Sequence, residues 1–315
     1  MPLISKKTKL LNKSHNKSHK KSHKKSHKKS HNKSSTKTHQ KEINNLKHNK
    51  NNNKIAILSY NISWESMNGS VKQWALCNNN TDINNPKHFS VCVNNISNVF
   101  DEKFDEKYRE LDFITLQEAT DYKKLIKESS RLKQMKYEVH KSGLDTIVTF
   151  WDQKYKLKYK INGEFEEGRP WMATVFNSNM NTNTNTNTGL CLINIHMGHY
   201  NKEEEFKMLT KMIIDMQNKM KTKQNINYAN NANMRYVISG DFNYNIKEFG
   251  DSNNSFVLNN TKFYFNPKHI LTCCINRRRH NDHVIDSLSL PQDIIIPKVN
   301  YMASDHKPIL VNLVN

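Results

Sequence analysis

Short β-type runs that each stop at a polar residue are what most narrow the folds open to this chain. Ile55-Ala56-Ile57-Leu58-Ser59-Tyr60 stops at Asn61, Phe113-Ile114-Thr115-Leu116-Gln117 at Glu118, and Tyr236-Val237-Ile238-Ser239-Gly240 at Asp241. Leu190 to Ile195 stops at His196, and the apolar run Ile309 to Val314 follows Ser304-Asp305-His306-Lys307-Pro308. Runs of this length and β-branched content read as strands. In α/β proteins the chemistry-bearing groups collect where strands run out, because the sheet fixes the backbone while the loop frees the side chain. Asn61, Glu118, His196, Asp241 with Asn243, Asp282, and Asp305 with His306 are the candidate site on that basis.

The remaining pattern alternates strands with helices. Asp145 to Trp151 and Trp171 to Phe176 read as strands, the second pairing with Leu190 to Ile195 across an Asn-Thr repeat at 181–188. Val99 to Leu111 reads as a charged surface helix. Within Glu203 to Met220, Phe206, Leu209, Ile213 and Met216 recur at helical spacing, which predicts an amphipathic helix with those four residues in the core. The fold class expected is α/β: two mixed β-sheets packed face to face with helices outside, a four-layer sandwich. The Asn-rich stretch around 77–98 reads as an insertion forming an extra lobe near the site.

Composition divides the chain into two parts. Residues 1–54 hold 17 lysines, seven histidines and one acid, so +16 of the formal +20 charge lies there. Lys-Ser-His recurs every four residues at 13–15, 17–19, 21–23, 25–27 and 29–31. So few apolar residues cannot offset the entropy of folding, and a disordered basic tail is expected, with the catalytic domain at 55–315. Dense lysine binds nucleic acid without sequence preference, through phosphate neutralisation and counterion release. The five cysteines, without C-x-x-C spacing, indicate neither a disulfide framework nor a zinc site. No signal peptide or membrane span is read, so an intracellular protein, cytoplasmic or nuclear, is expected. Asn and Lys have only A/T-rich codons, and their abundance points to an A/T-rich protist or a large virus as the source. Oligomeric state is not legible.

Taken in order, Tyr60-Asn61, Leu116-Gln117-Glu118, Asn194-Ile195-His196, Gly240-Asp241-Phe242-Asn243 and Ser304-Asp305-His306 resemble the endonuclease/exonuclease/phosphatase superfamily. That group includes deoxyribonuclease I, abasic-site endonucleases, tyrosyl-DNA phosphodiesterases and inositol polyphosphate phosphatases. The resemblance spans residues 55–315 and implies the same four-layer sandwich.

A phosphodiester resists attack because its oxygens are negative and its leaving alkoxide is poor, and a hard divalent cation addresses both problems. The resemblance implies Mg²⁺, with Mn²⁺ as a substitute, held directly by Glu118 while Asn61 and Asp305 complete or orient the shell. It implies that His306 pairs with an aspartate. Asp282-His283-Val284-Ile285 fits the family pattern better than Asp286-Ser287-Leu288, so Asp282 is preferred and Asp286 is the alternative. Asp241 would orient water or the leaving group, Asn243 would donate its amide to a phosphate oxygen, and His196 would contact the phosphate or protonate the leaving oxygen. Neighbouring His199 reads as a surface residue. Arg169, Arg277, Arg278 and Arg279 are candidate phosphate-backbone contacts at the cleft rim. The function expected is a Mg²⁺-dependent nuclease acting on DNA or RNA. One alternative is an inositol-phosphate or phospholipid phosphatase on the same residues, and another is an inactive nucleic-acid-binding protein.

Overall fold

The computed structural model describes residues 54–64, 87–101, 111–143, 145–177, 189–224, 234–268, 270–273, 279–289, 291–297 and 304–314. The readings made for residues 1–53, for the 181–188 repeat and for Arg277 and Arg278 lie outside them. In chain order the strands are β1 (Lys54–Asn61), β2 (Phe113–Gln117), β3 (Lys136–Ser142), β4 (Asp145–Trp151), β5 (Leu157–Glu164), β6 (Pro170–Phe176) and β7 (Gly189–His196). They continue with β8 (Met234–Asp241), β9 (Ser255–Leu258), β10 (Thr261–Phe265), β11 (Asp282–Asp286), β12 (Gln292–Ile295) and β13 (Ile309–Val314). Among the described residues three α-helices join them: α1 (His88–Asp101), α2 (Tyr122–Glu128) and α3 (Lys202–Gln224).

One sheet has six strands in the order β12-β13-β1-β2-β4-β3, and the other has seven in the order β5-β6-β7-β8-β11-β10-β9. Both are mixed, β1 and β2 running parallel in the first and β7 and β8 in the second. The two-residue period of a strand sorts the side chains into layers. In β1, Ala56, Leu58 and Tyr60 face α1 and α2, whereas Ile55 and Ile57 face the other sheet. In β7, Cys191, Ile193 and Ile195 pack with Leu209, Ile213 and Met216 of α3, whereas Leu190 and Leu192 face inward. The protein is thus an α/β sandwich of two mixed sheets with helices against their outer faces.

Along the inner faces the chemistry changes at one level. Ile55 and Ile57 give way to Ser59 and Asn61, Phe113 to Thr115 and Gln117, Leu190 and Leu192 to Asn194 and His196, and Val237 to Ser239 and Asp241. Gly240 makes the last of these possible. Its φ is +152° and a Cβ there would meet the Ile195 carbonyl oxygen at 2.0 Å. Only glycine lets β8 approach β7 closely enough to set Asp241 in register with His196.

Three expectations need correction. The second half of the supposed 77–98 insertion belongs to α1, whose Cys92, Val93, Ile96, Val99 and Phe100 lie in the core over β1, β2 and β4. Exposed Asn94 and Asn98 obscure its period in the sequence. The helix expected from Val99 begins eleven residues earlier, at His88. Phe206 of α3 is 36% exposed, its ring set edge-on against Phe249 and Phe256 at the sheet margin, while Leu209, Ile213 and Met216 are buried as expected. No helix among the described residues is long and apolar enough to cross a membrane.

Candidate active site

The polar inner-face residues meet at the ends of β1, β2, β7 and β8. Asn61 joins the two sheets: its Nδ2 donates to Glu118 Oε1 at 3.1 Å and to Asp241 Oδ2 at 2.9 Å, while its Oδ1 accepts the Ser63 N–H at 2.9 Å. Asn61 therefore presents its amide, not its oxygen, to the two carboxylates and acts here by orienting them. Glu118 follows β2 in a left-handed conformation, φ 54°, which is costly for a residue with a long side chain and marks a position fixed by its surroundings. Burial raises its pKa above the ordinary carboxylate value, against the lowering effects of His196 and Asn61. Its Oε2 has no hydrogen-bond partner among the described residues.

Two Asp–His pairs flank Asp241. His306 sets Nδ1 at 2.9 Å from Asp282 Oδ2 and Nε2 at 3.6 Å from Asp241 Oδ2. His196 sets Nδ1 at 2.6 Å from Asp145 Oδ2, and its Nε2 lies 3.7 Å from both Glu118 Oε1 and Asp241 Oδ2. Burial alone would depress both imidazoles. For His306 the charges of Asp282 and Asp241 overcome it and leave the pKa well above the ordinary value. For His196 the Asp145 hydrogen bond and charge do the same, aided by Glu118 and Asp241. Both imidazoles thus hold their proton more tightly than a free one, and an Nδ1–H bound to carboxylate directs Nε2 into the cleft.

Asp282 and Asp286 lie four apart on one face of β11, so strand parity does not separate them. Asp282 is in register with Asp241, beside His306, whereas Asp286 is opposite Val237. Asp286 accepts a bidentate pair from Arg235, Nε at 2.9 Å and Nη2 at 2.6 Å, with both side chains buried. His306 is held in turn by Ser304, whose hydroxyl donates to the Asn61 carbonyl at 2.8 Å and accepts the His306 N–H at 3.0 Å.

Other expected residues differ in detail. β8 ends at Asp241, and Asn243 lies beyond it. Asn243 sits at φ 54°, donating its N–H to Asp241 Oδ1 at 2.8 Å and its side-chain amide to the Met197 carbonyl at 2.7 Å. Asp305 has no hydrogen bond among the described residues; its Oδ1 lies 3.9 Å from His306 Nε2. Arg169 reaches the cleft, its Nη1 lying 3.4 Å from Asp145 Oδ2 and 3.2 Å from His196 Nδ1. Arg279 is exposed and pairs through its backbone with Cys273; His199 is exposed, as expected. Contrary to the reading of the cysteines, Cys92 and Cys273 are half-cystines. Cys273 Sγ lies 3.4 Å from His306 Nε2, and its disulfide rules it out as a thiolate ligand beside Asp305 and His306.

Asp145 was missed. It opens β4, whose antiparallel pairing with β2 sets Leu116 against Val148, so the start of β4 comes level with Glu118. An acid at the start of a strand antiparallel to the Glu118 strand is the signal that could have found it. Among the described residues, Asp241, Asp282 and His306 form one group with ligand atoms within 4.8 Å of one another, and no such group includes Glu118.

Solved structures share this architecture. An endonuclease/exonuclease/phosphatase from Bacteroides vulgatus superposes with a TM-score of 0.52 at 13% identity, over 83% of this chain and 99% of that one. The human Nocturnin catalytic domain, with a bound sulfate anion, gives 0.50 at 15%, over 82% and 93%. This chain has the endonuclease/exonuclease/phosphatase fold. A family member from Bacteroides thetaiotaomicron likewise gives 0.50 at 15% identity, over 83% of this chain and 95% of its own. Protein L684 of Acanthamoeba polyphaga mimivirus, itself uncharacterized, is 29% identical over 269 residues, 81% of this chain. The chain spans about half, 49%, of that relative's length. No family model matches the sequence.

Proposed function

We propose that this chain is a divalent-metal-dependent phosphodiesterase acting on nucleic acid, hydrolysing a phosphodiester to a phosphomonoester and an alcohol. The observation that carries the reading is the convergence of two Asp–His pairs on Asp241, with Glu118 beside them. The donor set fits a hard cation. Glu118 and Asp305 offer carboxylate oxygens without hydrogen-bond partners among the described residues, and Asn61 holds Glu118 in place. Mg²⁺, or Mn²⁺ in its stead, would supply charge neutralisation on the phosphate and acidify a bound water.

The chain's own residues divide the remaining work. Asp241, fixed by the Asn61 amide, orients the attacking water. His306, its Nδ1 on Asp282, directs Nε2–H towards the phosphate. His196, its Nδ1 on Asp145, carries the proton that the leaving oxygen needs. Arg169 meets the phosphate backbone from the Asp145 side, and the second amide hydrogen of Asn243 is the one left for a phosphate oxygen. The 17 lysines of residues 1–54 favour a long polyanion over a small phosphorylated molecule. The mimivirus relative supports a large-virus origin.

The test is to offer the protein, with Mg²⁺, supercoiled plasmid, an abasic duplex, a 5′-tyrosyl oligonucleotide, single-stranded RNA and inositol polyphosphates in parallel. Cleavage of any nucleic-acid substrate supports the reading. Phosphate release from inositol polyphosphates without nucleic-acid cleavage, or no turnover at all, overturns it.

A further inference from the structure

Between the apolar inter-sheet core and the site lies a buried layer of amides and hydroxyls that none of the roles above uses. Gln117 and Asn194, both fully buried, face each other across the sheets, and Gln117 Nε2 donates to Asn194 Oδ1 at 2.7 Å. The Asn194 amide then donates to the Leu116 carbonyl of β2 at 3.1 Å and to the Val148 carbonyl of β4 at 3.0 Å. Leu116 and Val148 are themselves paired in register. One side chain of β7 thereby holds two strands of the opposite sheet.

Those three strands carry the parts that must meet. Gln117 immediately precedes Glu118, β4 begins at Asp145, and Asn194 is two residues before His196 on the same face of β7. The contacts of His196 Nε2 with Glu118 at 3.7 Å and of Nδ1 with Asp145 at 2.6 Å both cross from one sheet to the other. Sheets that meet only through apolar side chains can slide past one another, since apolar contact has no direction. Hydrogen bonds do have direction, and a buried donor left unmade is costly, so this amide pair specifies one offset between the sheets.

We propose that Gln117 and Asn194 form an inter-sheet clamp that positions Glu118, Asp145 and His196 relative to one another, making both amides positioning residues. The proposal rests on the phosphodiesterase reading for its consequence, but not for its geometry. A second bridge between the same sheets provides the control: Thr115 Oγ1 and Ser239 Oγ lie 2.8 Å apart, buried, one step further from the strand ends.

The experiment compares Gln117→Leu, Asn194→Leu, the swap Gln117→Asn with Asn194→Gln, and the control Thr115→Val with Ser239→Ala. Each is read by kcat, KM, thermal melting and Mn²⁺ affinity measured by electron paramagnetic resonance. The single variants should lose kcat by about 10²-fold, the cost of roughly 1 Å of misplacement, with little change in KM. The swap keeps the summed side-chain length and should recover most of that loss, and the control should keep kcat whatever its melting temperature. If a leucine variant does not fold, Gln117→Met, which keeps the side-chain length and removes the donor without adding a titratable group, carries the same expectation.

Singles that melt earlier but keep kcat would overturn the proposal, as would a swap no better than the worse single or a control that loses kcat equally. If the wild type hydrolyses no phosphodiester, the functional reading fails alone. Mn²⁺ affinity then decides the clamp: weakening in the singles with recovery in the swap supports it, and equal affinity throughout overturns it.

Discussion

Replacing Asp145 with asparagine should remove most of the turnover while keeping the shape of the site, because asparagine can still accept the His196 Nδ1–H. What it removes is charge. At the 2.6 Å separation of His196 Nδ1 and Asp145 Oδ2, a unit charge pair is worth about 6 kcal/mol at an effective dielectric of about 20, before desolvation is counted. The raised pKa of His196 depends on that carboxylate. Without it, burial pulls the imidazole down, and the Arg169 guanidinium 3.2 Å away pushes in the same direction. Glu118 and Asp241 still favour the charged ring, but His196 holds its proton less tightly than in the wild type, and kcat should fall by about 10²- to 10³-fold, within the range for a lost general acid.

The sign of the pH effect follows. The alkaline limb of kcat, which reports loss of the His196 proton, should move to lower pH in the variant, so that activity partly returns on acidification. Stability shifts as well. The Asp145 pKa is lowered in the fold, because the His196 hydrogen bond and charge and the Arg169 charge outweigh the raising effect of burial. Its contribution is therefore present above the ordinary carboxylate pKa and lost as the pH falls through the folded one, so the variant should melt earlier at pH 7 but not at strongly acid pH. The assay is kcat against pH at saturating substrate, alongside melting at pH 7. An unchanged kcat with an unmoved alkaline limb would refute the role given to Asp145.

Asp282→Asn should cost about 10²-fold or more in kcat with modest loss of stability, because it uncouples the His306 imidazolium. Asp286→Asn should cost about 3 kcal/mol of stability instead, since it leaves the buried Arg235 without its carboxylate; turnover per folded molecule and chemical denaturation separate the two. Removing residues 1–53 should leave turnover on short substrates intact while weakening binding to long DNA and flattening its salt dependence, as filter binding at several salt concentrations would record. Gly240→Ala should prevent close pairing of β7 and β8 and lower the melting temperature markedly, because its Cβ would sit 2.0 Å from the Ile195 carbonyl.

The strands that carry the site could be read from sequence because they are central. Buried on both faces, β1, β2, β7 and β8 run as near-continuous apolar stretches after Lys54 and Arg235 near the starts of β1 and β8, and each turns polar where the inter-sheet layer begins, at Ser59, Thr115, Asn194 and Ser239. Edge strands were not legible. β3 reads Lys-Tyr-Glu-Val-His-Lys-Ser and β5 Leu-Lys-Tyr-Lys-Ile-Asn-Gly-Glu, and partly solvated residues on both faces erase the contrast that marks a strand. Asp145 escaped for a different reason: its partner, His196, is 51 residues away on the other sheet, a contact that local pattern does not encode. The choice between Asp282 and Asp286 needed the register of β11 against β8, which no periodicity supplies.

The most direct test of the account is the Mg²⁺ dependence of phosphodiester hydrolysis in the wild type and in Glu118→Gln, which keeps the side-chain size and removes one ligand charge. The account predicts that wild-type turnover saturates with Mg²⁺, stops in EDTA and returns when Mg²⁺ is added in excess. It predicts that the variant needs far more Mg²⁺ and turns over about 10²-fold more slowly at best. Cleavage that persists in EDTA, or a variant with the wild-type rate and the wild-type Mg²⁺ requirement, would contradict it.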